Sequence, residues 1–392
     1  AFAGTTALAF HDGGVAECIG CHSMHDAAGS FLLVGSDASS ACMTCHIGTN
    51  PSPQSFRVAT EDADLGAGIA PAQRSPGGDF AWLKKTYTWT VRGNNVAEAG
   101  ETHGHNIVAL DFGYNADSHN TESPGGSFDS DNLSCASCHD PHGKYRRDEN
   151  GNYSTGGAPI IDSGSYVTSP DPAAGTAVGS YRLLPGIGYS QGGSNFTTDP
   201  PDAVAPNTYN QSEATNQVRV AYGQGMSAWC GTCHATMHTG GNVHPIDDTL
   251  GSTIAADYDA YVGSGGIGTA SGFLSLVPFS ENSNNYTDLK AHANNDGSFL
   301  DGPESGDLVT CMSCHRAHAS GFEYAMRWNP ESEFLTYQGL WPGTDNAVGA
   351  SNPQYSRGRV EAEMQAAYYD RAASTFSTYQ RSLCNKCHIG TN

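Results

Sequence analysis

No stretch of this 392-residue chain approaches the ~18 consecutive apolar residues of a membrane-crossing helix, so the sequence contains no span of that kind. Basic residues are scarce too: 18 Lys and Arg stand against 40 Asp and Glu, a formal charge of -22. Without clustered cations nothing can track a phosphate backbone, and nucleic acid is excluded as a partner. Charged residues make up only 15% of the chain and apolar ones 38%, whereas glycine and proline number 48 and 19. Such a composition offers little core of its own against its conformational entropy, and little regular structure is expected. No cysteine stands outside a C-x-x-C pair, so there is no leftover thiol and no odd disulfide partner.

What is present is a repeat. All twelve cysteines form six C-x-x-C pairs, each followed at once by histidine: Cys18/Cys21/His22, Cys42/Cys45/His46, Cys135/Cys138/His139, Cys230/Cys233/His234, Cys311/Cys314/His315 and Cys384/Cys387/His388. One such pair alone could be a zinc site, a redox dithiol or a disulfide. With 16 histidines in the chain, histidine would follow a given pair by chance about 4% of the time, and all six on the order of once in 10⁸. The motif is the attachment signature of haem c, and it predicts six covalent haems.

Six porphyrins, each tied by two thioethers and an iron bond, can supply core that side chains do not. The first two motifs lie 24 residues apart and the later intervals are 93, 95, 81 and 73 residues, rich in Gly, Ser, Asn and Pro. Segments of that length are too long for ordinary structureless loops and are expected to wrap cofactors. The fold expected is therefore irregular, mostly coil, with short helices wrapped around six haems and little β structure, a multihaem cytochrome c forming one unit over residues 1–392. The clearest helix is expected from Arg359 to Leu383, where Val360, Met364, Tyr368 and Ala372 recur at four-residue spacing. Strand is expected at most in Thr86 to Val91. Haem c attachment implies export, and residues 1–9, with Ala7-Leu8-Ala9, resemble the remnant of a signal peptide or an N-terminal arm.

Beyond the six motif histidines the chain has His11, His25, His103, His105, His119, His142, His238, His244, His292 and His318. Six of these would close every iron as bis-histidine and leave no open position for a substrate, which argues for electron transfer and against an enzyme. Spacing singles out His25, His142 and His318, each three residues after a motif histidine, and His238, four after His234. Residues three or four apart project from one face of a helical turn. Each must therefore serve a different iron from its neighbour, which draws two haems together. His11, His105, His244 and His292 complete the candidates, eight for six places, with His103 and His119 the expected bystanders.

The chain resembles the outer-surface hexahaem c-type cytochromes of metal-reducing bacteria that polymerise into extracellular nanowires. The likeness runs from Phe10-His11 and Gly13–Cys18 to His25, then through Pro76–Phe80, Lys84–Trp89, Gly104–Val108, Cys138–Arg147, Val220–Ser227, Cys314–Phe322 and Tyr379–Arg381 to His388. It implies a filament of repeated subunits with a continuous chain of bis-histidine haems. It also implies that His25 leaves its own subunit to ligate the iron of His315 in the next, a head-to-tail contact that never closes. Departures lie in loops: Ile47 to Ser55 is shorter and lacks a histidine, the segment from His238 to Leu250 is shortened, and His103 and His119 have no counterpart. Implied partners are the chain itself, other multihaem cytochromes that load electrons, and extracellular acceptors such as metal oxides. The implied location is the outer surface or beyond, reached through the periplasm. The alternatives are a monomeric periplasmic or surface electron shuttle, a multihaem reductase, and a filament whose haems serve mainly to stabilise the chain.

Overall fold

The computed structural model describes residues 18–49, 56–207, 210–239, 244–261, 272–344 and 356–388. His11, the 1–9 stretch and the last residues beyond His388 lie outside them. Among the described residues regular structure comes in short pieces, and the helices that carry cysteine pairs show why. Cys18–Cys21, Cys135–Cys138 and Cys311–Cys314 are single turns, and only Ala38–His46 is longer than five residues. Two of these turns start on a reciprocal serine bond. The hydroxyls of Ser137 and Ser313 accept the backbone N–H groups of Ser134 and Thr310, each at 3.1 Å. Asp37 caps Ala38–His46 by accepting the N–H of Ser40 at 2.8 Å.

The strand expected at Thr86 to Val91 forms at Tyr87–Val91, paired antiparallel with Asn94–Glu98, which the sequence reading did not foresee. The two are joined at Arg92-Gly93, whose φ angles of 49° and 82° suit a two-residue hairpin turn. Tyr87 and Trp89 point inward and alternate with exposed threonines. The other strands number two to four residues, and no helix is long and apolar enough to cross a membrane among the described residues.

The expected C-terminal helix is much shorter than Arg359 to Leu383. It covers Glu361–Ala367 only, preceded by the Ser356–Arg359 strand and followed by 3-10 turns at Ala373–Thr375 and Leu383–Lys386. Tertiary contacts override the four-residue spacing. Tyr368 stacks on Trp341 with ring centroids 4.4 Å apart, and Asp370 pairs with Arg74 at 2.8 Å. Tyr369 and Asp370 take left-handed φ angles of 56° and 63°, which end the helix.

Side chains build more core than the composition suggested. The largest buried cluster gathers Trp82, Trp328, Trp341, Tyr368, Leu276 and Met364, and a second gathers Tyr145, Tyr189, Phe196 and Trp229. The hairpin is locked to the C-terminal segment by Lys85–Glu363 at 2.7 Å and by a buried bond between Arg359 and Glu98. Burial pushes the Glu98 carboxyl up, but the His103 hydrogen bond and the Arg359 charge outweigh it and bring it down to about 2. A carboxyl so depressed stabilises the fold fully above its unfolded value, near 4.5, and loses that contribution as pH falls toward 2. Glu98→Gln should therefore lose about 3 kcal/mol at pH 7 and show a shallower decline in stability between pH 4.5 and 2, read from denaturant midpoints beside wild type.

Candidate haem centres

Each motif histidine sits at the end of its cysteine turn, and for five of the six the structure fixes the ring through the backbone. Nδ1 of His22, His46, His139, His234 and His315 lies 2.9, 2.5, 2.7, 2.8 and 2.7 Å from the carbonyls of Phe31, Phe56, Arg182, Pro124 and Tyr324. A carbonyl can only accept, so Nδ1 carries the hydrogen and Nε2 keeps a lone pair for a metal. His388 completes the six.

Motifs one, three and five share a further device. The acceptor carbonyls belong to the first residue of a left-handed pair: Phe31-Leu32 (φ 59° and 61°), Arg182-Leu183 (52° and 57°) and Tyr324-Ala325 (60° and 54°). The carbonyl of the second residue accepts the N–H that follows the histidine: Ser23 at 2.7 Å, Asp140 at 2.8 Å and Arg316 at 2.8 Å. Left-handed non-glycine residues cost roughly 1–2 kcal/mol each and persist only where the surroundings fix them. Here two hydrogen bonds fix each turn. The sequence reading missed these turns because a backbone carbonyl has no residue signature. The one trace is that Phe31 and Tyr324 both lie nine residues beyond their histidines.

Four spare histidines face motif histidines across a gap. Ring centroids are 6.5 Å apart for His22 and His142, 6.4 Å for His139 and His318, 6.0 Å for His234 and His105, and 6.2 Å for His388 and His244. Two imidazoles on one metal, each bonded through Nε2 at roughly 2 Å, have centroids a little over 6 Å apart. Nδ1 of His105 is engaged by the Ala317 carbonyl at 2.8 Å, which leaves its Nε2 available. Burial, with His139 close by, pushes His318 down to about 3, so it is a neutral imidazole, the form that binds metal.

The remaining candidates are placed differently. His292 stacks on Phe299 at 4.1 Å with Nδ1 on Glu281 at 2.6 Å, and His238 Nε2 meets Asp247 at 3.2 Å; neither is paired with a motif histidine among the described residues. His103 is fully buried with both nitrogens in use, toward Trp82 O at 3.0 Å and Glu98 at 2.7 Å. His119 is exposed, and so is His25. Among the described residues no histidine is paired with His315.

The motifs also come together two by two. The helix of motif two packs against that of motif three, and the helix of motif four against that of motif five. In both pairs a serine three residues before the first cysteine of the earlier motif accepts the N–H of the first cysteine of the later: Ser39 for Cys135 at 3.1 Å and Ser227 for Cys311 at 3.2 Å. Motifs two and three are thus built like motifs four and five.

Paired thiols, an oriented imidazole beside them and a second imidazole at iron-spanning distance fit covalent haem, which supplies a one-electron iron couple. A chain that repeats this arrangement is a multihaem c-type cytochrome.

No family model matches the chain. It is, however, 49% identical over 411 residues to the C-type cytochrome OmcS of Geobacter sulfurreducens, with 97% of this chain and 94% of that protein covered. Two solved structures, the cryo-EM structure of the OmcS nanowires and the outer membrane cytochrome S filament of the same organism, superpose with TM-scores of 0.89. Their identities are 46% and 48%, covering 97% of this chain and all of theirs. The chain belongs to the OmcS family of c-type cytochromes and binds haem c.

Replacing His105 with alanine should open one haem: after reduction about one-sixth of the haem binds carbon monoxide, against almost none in wild type. Unchanged binding would remove His105 from the ligand set.

Proposed function

We propose that the chain is one hexahaem unit over residues 1–392 that conducts electrons outside the cell. Its six haems have bis-histidine irons, and its subunits join head-to-tail into a filament. The haem bonds run through Cys18, Cys21, Cys42, Cys45, Cys135, Cys138, Cys230, Cys233, Cys311, Cys314, Cys384 and Cys387, with His22, His46, His139, His234, His315 and His388 as proximal ligands. His142, His318, His105 and His244 are the distal ligands opposite His22, His139, His234 and His388. His11 serves His46, and His238 and His292 are not ligands.

One pattern carries the filament. The histidine beside motif five, His318, faces motif three, and the one beside motif three, His142, faces motif one. The same step taken from His25, beside motif one, leads out of the chain toward motif five of another copy. His25 is exposed among Ile19, Met24 and Phe31, which are 81%, 77% and 85% exposed, an apolar surface suited to burial against a second subunit. The relatives of known structure are themselves a nanowire and a filament. An iron bond and apolar burial together offset the repulsion between copies of charge -22.

A ligand that stands beside one haem and binds the next keeps neighbouring porphyrins close, and transfer between them is then short-range at every step. With both axial positions taken there is no site for a substrate, which disfavours a reductase. The electrons come from other multihaem cytochromes and pass to acceptors such as metal oxides, and the chain reaches the outer surface by way of the periplasm.

Negative-stain electron microscopy of wild type beside His25→Ala tests the filament and its bond together. Filaments for wild type and short or single particles for the variant are expected. Single wild-type particles would leave the monomeric shuttle in its place.

A further inference from the structure

Charge buried in this chain is usually matched by charge: Arg359 with Glu98, Arg219 with Glu281, Arg371 with Glu213. Lys386 is an exception. It is fully buried, and among the described residues it is in no ion pair. Its Nζ instead donates to the carbonyls of Tyr258 at 2.8 Å and Gly272 at 2.9 Å, and stands 4.1 Å from the centre of the Tyr258 ring. Two carbonyls and the face of a ring all attract a cation, so the site is built for the ammonium.

The surroundings favour this charge without cancelling it. Tyr258 lies in the last turn of the Gly251–Ala260 helix, whose final carbonyls form the negative end of its dipole. Tyr258 and Cys387 pack in the largest buried cluster, away from water. Asp259, on the same helix, is exposed, and water screens its carboxylate. A full positive charge is therefore held in an apolar setting, where it acts more strongly than it would at the surface.

Its place in the sequence indicates what it acts on. Lys386 stands between Cys384 and Cys387, the thioether pair of motif six, whose His388 faces His244. The other five motifs carry Ile19-Gly20, Met43-Thr44, Ala136-Ser137, Gly231-Thr232 and Met312-Ser313 between their cysteines, none of them ionisable. The charge thus lies on the thioether side of one haem, and a haem carries its propionates on the opposite edge. Cys314 of motif five packs on the same cluster as Cys387, so this haem neighbours the one proposed to take His25 of another chain.

We infer that Lys386 sets the reduction potential of the haem between His388 and His244, raising it because a buried cation on the thioether side disfavours the ferric charge. An electron is then stabilised on the haem beside the junction between chains. The same two hydrogen bonds clasp motif six to the helix, and a glutamine amide can keep that clasp without the charge. The inference rests on the proposed six-haem reading.

The test is a spectroelectrochemical titration at pH 7 of wild type, Lys386→Gln, Lys386→Met and Lys386→Arg, with haem counted as the pyridine haemochrome. His244→Ala, which alters the same haem, marks its wave. Six haems per chain are expected in wild type and in each Lys386 variant. The marked wave should move to lower potential in the glutamine and methionine variants and stay near its wild-type place in Lys386→Arg. Six unmoved waves in the neutral variants would overturn the inference, and so would movement of a different wave. A shift in Lys386→Met that Lys386→Gln does not share would overturn it too, as the mark of a clasp. Loss of a haem in both neutral variants, with six kept in Lys386→Arg, would likewise reduce Lys386 to a support of motif six. Fewer than six haems in wild type would instead defeat the six-haem reading.

Discussion

A histidine three residues beyond an iron ligand leaves the chain on the same side as that ligand and cannot reach the far face of the same porphyrin. The rest of the molecule follows from this restriction. At motifs three and five the second histidine stands instead against the motif histidine two motifs earlier, so His142 faces His22 and His318 faces His139. Each such crossing ties together segments more than a hundred residues apart. A chain held by crossings of this kind has little need of long helices or wide sheets, and its regular elements shrink to turns that aim a cysteine pair or a ring.

Aiming falls to the backbone. Five motif histidines are oriented by main-chain carbonyls, three of them from left-handed pairs without glycine. Strain of that kind survives where several bonds fix one geometry, and the reward is an imidazole whose protonated nitrogen and free lone pair are both determined. The serine contacts at Ser39 and Ser227 do the same for the cysteine pairs, setting motif three against motif two and motif five against motif four in one recurring arrangement.

Much of this could be read in the residues. The six motifs, the irregular fold and the strand at Tyr87 follow from the sequence, and His142 and His318 do stand against motif histidines other than their own. The helix from Arg359 to Leu383 did not form as expected, because Tyr369 and Asp370 answer to Arg316, Ser75 and Arg74, contacts that no local pattern records. The partners of His105 and His244 were equally hidden, since each joins segments distant in sequence. Composition also understated the core: apolar residues are only 38% of the chain, but the tryptophans at 82, 328 and 341 are gathered into one cluster.

The central claim is that one iron in six takes a ligand from a neighbouring chain. Low-temperature electron paramagnetic resonance on assembled and on dissociated wild-type protein tests it directly. The account predicts six low-spin haems in the assembly and, on dissociation, one haem per chain turning high-spin while five keep their spectra. Six low-spin haems in a separated monomer would contradict it.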